Sequence, residues 1–472
     1  MIYDFVNAVN AVLWGQILIY LLLLAGLWFT VRLGAIQFRY FGHMFGLLKN
    51  SRYSDASGIS SFQALCTSLS ARVGTGNLAG VAIAISLGGP GAIFWMWMIA
   101  LLGMATGYAE SLLGQVYKVR DSNNQYRGGP AYYIKQGLKR PCLAALFSLS
   151  LMFGYGFVFN ATQANTVADA LNHSYGFSAI NSAIVITIFT AIIVSGGLRV
   201  IARFSELVVP LMGFAFVLTA LVITAMNISE VPAMLIQIVG SAFGLQEAGA
   251  GTFAAALKSG VQRGLFSNEA GAGSVPQAAA SASPQPNHPA AQGFIQMLGV
   301  FLDTIVVCTC TAIVIMLAGG ATGEEMEGIR LTQNAMTTHL GAFGGHFVAI
   351  AITLFAFTSI VANYFYAESN LHFLKCDNRA GKIIFTTIFL GMMFYGTTVE
   401  LKQVWATADM AFGLMAVINV VAIMLLTPTV LRVTSDYLHK KNNGSFAEKF
   451  SSKQSDVQGS TEENIWSEEN AF

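Results

Sequence analysis

Charge is what this chain has least of. Only 10% of its 472 residues are Asp, Glu, Lys or Arg, against about 25% in soluble globular proteins, too few to cover a water-facing surface. Hydrophobic residues reach 54%, and 34 Phe and 47 Gly add to the same signal, since Gly is commoner in membrane helices than in soluble ones. A formal net charge of +1 leaves no bias toward nucleic acid or acidic partners. Cysteine is scarce and odd in number: Cys66, Cys142, Cys308, Cys310 and Cys376. The one close pair, Cys308-Thr309-Cys310, has neither zinc-site nor thioredoxin-type spacing, so the five read as small core residues. No Lys or Arg precedes the first apolar run. That argues against a cleaved signal peptide and keeps the run as a helix. His-Glu-x-x-His and Gly-x-Ser-x-Gly are both missing, which removes the main grounds for an enzyme.

What is there is a series of long apolar runs. A membrane span needs about 20 mostly apolar residues. Eleven segments qualify, at about 12–33, 62–88, 89–117, 142–171, 178–198, 200–226, 246–280, 293–317, 346–373, 383–399 and 403–431. The apolar stretch 231–243 is too short and reads as a helix lying at the interface. With the N-terminus outside, the inner loops hold Arg32, Arg39, Lys49, Arg52, Lys118, Arg120, Arg127, Lys135, Lys139, Arg140, Arg199, Arg203, Lys375, Arg379 and Lys382, and the tail adds Arg432, Lys440, Lys441, Lys449 and Lys453. The outer loops hold only Arg330 and Lys402. Positive charge is retained on the cytoplasmic side of membranes, so the alternation supports eleven spans and a cytoplasmic C-terminus. Residues 1–432 form one transmembrane domain. The polar tail, 433–472, is expected to stay loose.

Two spans resist being read as continuous helices. The second contains Ser70-Ala71-Arg72-Val73-Gly74-Thr75-Gly76-Asn77-Leu78-Ala79-Gly80, and the seventh contains Gly264 through Ser274 followed by Pro276. Each Gly costs a helix about 1 kcal/mol relative to Ala, and unwound backbone at membrane depth is tolerated only where it is buried or lines a cavity. Without the extra helix 12–33, the broken spans open two sets of five, 62–226 and 246–431. Five is odd, so the second set enters from the opposite side. Paired Gly-interrupted segments in two halves point to an inverted-repeat transporter. A half-helix N-terminus suits a substrate carboxylate, and freed carbonyls suit an ammonium group or a cation. Glycines also serve close helix packing, which accounts for Gly103, Gly107 and Gly114.

The run Gly74-Thr75-Gly76-Asn77-Leu78-Ala79-Gly80-Val81 resembles the first signature of the alanine or glycine:cation symporter family, the sodium:alanine symporters. Ala256 through Gly271 resembles the second, and Gly128-Gly129-Pro130-Ala131-Tyr132-Tyr133 is similar to the family's inner loop. The likeness runs from about residue 10 to 430. It implies an all-α membrane protein of leucine-transporter type within the amino acid–polyamine–cation superfamily, with a 5+5 inverted repeat, one extra N-terminal helix and the first and sixth core helices unwound at mid-membrane. The implied function is symport of sodium with a small neutral amino acid, alanine or glycine, by a monomer in the inner membrane, with no organic cofactor.

By that resemblance Gly74, Thr75, Gly76 and Asn77 meet the substrate carboxylate. Gln163 presents an amide, Phe266 limits side-chain size, and Ser267 and Asn268 supply polar partners. The alternative for Gln163 is a helix-to-helix hydrogen bond. The superfamily's common sodium site maps to Ser70, Val73, Thr358 and Ser359, all hard oxygen donors, whereas Arg72 stands where some relatives place a second sodium's ligand, so no second site is carried over. Intramembrane charges are functional suspects. Lys258 and Arg263 are expected to pair with Glu247, Glu269 or Asp303, and Glu110 and Glu368 to reach water at inner ends. Competing readings are a glutamine or serine symporter coupled to sodium or protons, and an ion channel. The latter lacks the Thr-Val-Gly-Tyr-Gly filter pattern.

Overall fold

The computed structural model describes residues 2–244, 250–319, 328–446, 450–453, 455–462 and 465–466. Beside the short helices Ile36–Arg39, Phe41–Leu48 and Pro130–Gln136, its helices are α1 (Tyr3–Arg32), α2 (Ser61–Arg72), α3 (Gly76–Gly88), α4 (Gly91–Val116), α5 (Pro141–Tyr175), α6 (Ala179–Val194), α7 (Gly197–Met226) and α8 (Val231–Ala242). There follow α9 (Ala250–Asn268), α10 (Val275–Ala280), α11 (Pro289–Leu317), α12 (Ile329–Leu340), α13 (Ala342–Phe373), α14 (Arg379–Thr398), α15 (Leu401–Leu425) and α16 (Thr427–Asn443). Among the described residues, eight helices are long and apolar enough to cross a membrane. The three expected spans outside that set have physical reasons for it. The second and seventh are split, and α6 has only 16 residues, about 24 Å at 1.5 Å per residue.

Local chemistry marks the helix ends. Ser60 and Gln63 form a reciprocal capping box at the start of α2, with both bonds at 3.1 Å. Ser178 and Asn378 cap α6 and α14 through their side chains. The lipid-facing side is equally plain on α7. Leu207, Leu211 and Phe214 are 72%, 70% and 67% exposed, while Ser205, Val209, Met212 and Phe216 on the other face are buried. A helix in water would carry polar residues on its open face.

Helical geometry fails at Val73–Gly74 and again over 269–274. In the first break the Gly74 N–H, whose helical acceptor would be Ser70, goes to Asn77 Oδ1 at 3.0 Å. The Thr75 N–H, which would bond Ala71, goes to Gln163 Oε1 at 3.1 Å. In the second break Glu269, Gly271 and Gly273 have φ of +57°, +88° and +83°, a region most side chains avoid. Glu110 holds this linker. It is fully buried and accepts the Gly271 and Gly273 N–H groups at 3.2 Å each, and the Asn419 amide at 2.9 Å. Asn419 also donates to Gly271 O at 2.9 Å and accepts from the Tyr133 hydroxyl. Glu110 therefore does not reach water, as its place near a helix end suggested; it is the anchor of the break. Glu368 sits between Arg127 and Lys382, at 3.9 and 3.5 Å.

The split helices are tied together at one end. Ile59–Ser60, leading into α2, pairs in parallel with Ala282–Ser283, just past α10. Glycines set the closest helix approaches. A Cβ on Gly260 would lie 2.4 Å from Ala92 O, and one on Gly264 2.6 Å from an Ile99 methyl, so α9 packs against α4 along this Gly-x-x-x-Gly face. Gly103, Gly107 and Gly114 similarly face Ala270, Val300 and Pro276, in accord with the packing reading. Of the five cysteines, Cys66, Cys308 and Cys310 are buried, but Cys142 and Cys376 are exposed.

The tail departs from expectation. Helix α16 carries it to Asn443, and beyond it Phe450 and Trp466 are buried. The Trp466 indole donates to Gln115 O at 2.9 Å and lies 4.8 Å from the Lys118 ammonium, while the Ser460 N–H donates to Gln136 O at 3.2 Å. Two aromatic anchors dock a segment whose average composition is polar. In the neighbouring loop, burial pushes the Asp121 carboxyl up. The Arg127 guanidinium and the Gln125 and Asn123 N–H groups outweigh it and leave the carboxyl below its ordinary range.

Two substitutions test this framework through the thermal midpoint of the detergent-solubilised protein. Gly260→Val forces α9 off α4 and is expected to cost about 1–3 kcal/mol, a clear fall in midpoint. Glu110→Ala strands buried donors at about 1–3 kcal/mol each and is expected to be the more damaging, with Glu110→Gln intermediate because its carbonyl still accepts. An unchanged midpoint for Glu110→Ala would contradict its anchoring role.

Candidate functional site

The two breaks face one another across a small cavity lined by buried residues. It is lined by Ala71, Arg72 and Gly76 from the first, Phe266 and Glu269 from the second, Tyr155, Phe159 and Gln163 from α5, Asn363 from α13 and Phe412 from α15. The space has room for about one ordered water, so any larger guest must part its walls. Those walls are aromatic. The Phe266 ring lies 5.5 Å from Phe159, 4.8 Å from Trp405 and 6.0 Å from Phe412, centroid to centroid.

Of the residues singled out in the sequence, Gly76, Gln163 and Phe266 line this cavity. Gly74 and Thr75 are not among the residues lining it, and their N–H groups are already engaged by Asn77 and Gln163. Gln163 thus takes up the helix-to-helix bond while still facing the cavity. Asn77 and Ser267 belong to a polar knot beside it. The Asn77 amide donates to Asp303 Oδ1 at 2.7 Å and to Ser267 Oγ at 3.1 Å, while Ser267 and Thr304 hydroxyls donate to Asp303 Oδ2 at 2.7 and 2.8 Å. Asn268 turns elsewhere: its Oδ1 accepts the Ala270 N–H at 3.0 Å, and it does not line the cavity.

The residues assigned to sodium converge in part. Ser70 O, released from helical bonding by the first break, accepts the Ser359 hydroxyl at 2.7 Å. The Ser70 hydroxyl is buried without a partner among the described residues, and a Cβ on Gly74 would lie 2.4 Å from Ser359 Oγ. Thr358 donates to Phe355 O at 2.9 Å, and Val73 caps the end of α2. Hydroxyls and bared carbonyls are the hard oxygen donors that a small cation takes.

Several site residues were not read as such from the sequence. Tyr155 and Asp303 each sit in a widened, π-helical turn, Gly154–Val158 and Phe301–Cys308, and a third such turn, Gly76–Gly80, opens α3. Such turns concentrate at functional sites, but no residue pattern announces them. The polar residues Asn160 and Asn363 within apolar helices were the signal available. Arg72 is fully buried and donates to Gln296 O at 3.3 Å. Arg263 finds neither Glu269 nor Asp303; it pairs with Asp409 at 2.5 Å and covers the Trp405 ring at 4.6 Å. Glu247 lies outside the described residues. On the other side of that pair opens a vestibule of about 550 Å³ lined by Asn7, Asn10, Trp14, Lys258 and Lys402 among others. The first helix, set apart in the sequence reading, therefore forms one of its walls. Asn10 donates to Ala406 O at 2.8 Å and Trp14 to Asp409 O at 3.1 Å.

Comparison with known proteins agrees with this architecture. A solved structure of MhsT in complex with L-phenylalanine superposes with a TM-score of 0.57 over 82% of this chain and 93% of that one, at 14% identity, a likeness of fold alone. An uncharacterized transporter, YaaJ, of Escherichia coli (strain K12) is 48% identical over 446 residues, 93% of this chain and 94% of that protein. The sodium/alanine symporter AgcS of Methanococcus maripaludis is 37% identical over 93% of this chain and 98% of its own length. The family description that matches residues 1–452 is that of the sodium:alanine symporters, and with this coverage the chain belongs to the sodium:alanine symporter family.

Proposed function

We propose that this protein carries a small neutral amino acid, alanine or glycine, into the cell together with sodium, by alternating access. The observation that carries the reading is the meeting of two interrupted helices at one cavity, with Gln163 and Phe266 on its wall. N–H groups and carbonyls released from helical bonding there suit a zwitterion. In this reading Gly74, Thr75, Gly76 and Asn77 receive the carboxylate as the walls part, and Gln163 hands Thr75 over to it. Phe266 bounds the side chain, since one excess methylene in a packed site costs about 1–3 kcal/mol. Ser267 and Asn268 support this surface through the Asp303 knot and the Ala270 cap.

Sodium takes Ser70, Val73, Thr358 and Ser359. The support is the Ser359 hydroxyl lying 2.7 Å from Ser70 O, beside an unpartnered Ser70 hydroxyl. Binding a cation there ties α2 to α13 and completes the pocket edge before the amino acid enters. The Arg263–Asp409 pair and Trp405 close the cavity from the vestibule, and the tied ends of α2 and α10 close it from the opposite side. Substrate movement then requires these two closures to open alternately.

Eleven crossings follow if each split pair, α2 with α3 and α9 with α10, counts as one span and α6 crosses despite its length. The distribution of Lys and Arg then puts the N-terminus outside the inner membrane and the C-terminus in the cytoplasm. The assembly works as a monomer in this reading. One charge moving through 100 mV supplies about 2.3 kcal/mol, enough for about fifty-fold accumulation.

The test is uptake of labelled alanine into proteoliposomes with and without an imposed sodium gradient. Uptake is expected only with the gradient; indifference to sodium would remove the coupling ion. Ser359→Ala is expected to raise the sodium concentration for half-maximal uptake about tenfold, equivalent to about 1.4 kcal/mol, and an unchanged value would take Ser359 out of the cation site.

A further inference from the structure

Two residues on the cavity wall carry buried polar atoms without a partner among the described residues, the donors Nε and Nη2 of Arg72 and the acceptor Oδ1 of Asn363, and of these only Asn363 offers an acceptor. Asn363 lies within the apolar helix α13, is 1% exposed and lines the cavity. Its orientation is set by its neighbour. The Asn160 amide donates to Tyr155 O at 2.7 Å, which turns Asn160 Oδ1 toward Asn363, and the Asn363 amide donates to that oxygen at 3.1 Å. The remaining atom, Asn363 Oδ1, is buried and has no partner among the described residues. A buried carbonyl left in this way is costly, the more so at a depth where water is scarce.

Two other side-chain acceptors on the cavity wall already have partners. Gln163 Oε1 holds the Thr75 N–H, and Glu269 Oε2 holds the Ser274 hydroxyl at 2.7 Å. Asn363 Oδ1 is therefore suited to a donor brought by the guest. Phe159, Phe266 and Phe412 keep the accepted side chain short, so that donor must sit about one atom beyond Cβ. A hydroxyl meets both conditions.

We propose that Asn363 selects for a short hydroxyl side chain, so that serine is accepted well ahead of 2-aminobutyrate, which replaces the hydroxyl by a methyl group of similar size. The inference rests on the amino acid reading of the site and adds a side-chain preference to it. Its physical basis is asymmetric: an apolar pocket barely distinguishes such isosteres, whereas a buried acceptor rejects the one that leaves it unpaired.

The experiment uses the full chain in proteoliposomes and compares unlabelled serine and 2-aminobutyrate as competitors of sodium-driven labelled alanine uptake. The expected result is a half-inhibitory concentration about tenfold or more lower for serine, with Asn363→Leu reducing that ratio to less than about threefold. Asn363→Asp, which keeps an acceptor at the same position, is expected to retain the preference. A wild-type ratio near one overturns the proposal. So does an Asn363→Leu variant that keeps the ratio, or that weakens both competitors equally, as it would if Asn363 met the ammonium group common to all. Should alanine uptake fail altogether, the transport reading falls. Stabilisation of the purified wild type by serine against 2-aminobutyrate, read as a thermal shift, would still decide the role of Asn363.

Discussion

Backbone that leaves the helix inside an apolar medium must find another partner for every N–H and C=O it exposes, and much of this structure answers that demand. Regular helices satisfy themselves, whereas the stretches at Val73–Gly74 and 269–274 do not. Their groups are met by side chains from elsewhere in the chain: Gln163 for Thr75, Glu110 for Gly271 and Gly273, and Asn419 for the Gly271 carbonyl. Each of these polar residues sits in an otherwise apolar helix, and its presence there makes sense only in relation to a break far away in sequence.

The same demand produces the functional surface. Ser70 O is free for Ser359 because the Gly74 N–H has turned to Asn77. Asn77 in turn reaches Ser267, near the end of α9, and Asp303 on α11. The first break is thus tied by hydrogen bonds to the helix that runs into the second.

Different contacts lie on the two sides of the cavity. Toward the vestibule, an ion pair and an indole ring cover the cavity, and α1 supplies part of the wall beyond. On the other side, a two-residue parallel pairing joins the ends of the split helices, and the tail lies over the end of α4 with Trp466 as its anchor.

Much of this was legible in the residues. The scarcity of charge, the long apolar runs and the one-sided placement of Lys and Arg are local or additive properties, and they were enough for a multi-helix membrane architecture. Clustered glycines next to Asn, Glu and Pro weaken a helix wherever they occur, so the positions of both breaks could also be read, and the long run ending at Gly271 pointed to the family. What the sequence could not decide was pairing. Glu110 looked like a residue at a helix end, Arg263 had several candidate partners, Asn268 looked like a ligand contact, and the tail looked unstructured. The burial of Glu110, the Arg263–Asp409 pair, the Asn268 cap on Ala270 and the docking of Trp466 all depend on which helices come together. The orphaned oxygen of Asn363 has the same origin. Composition and periodicity act along the chain, whereas a hydrogen bond between residues 160 and 363 exists only once the chain has closed on itself.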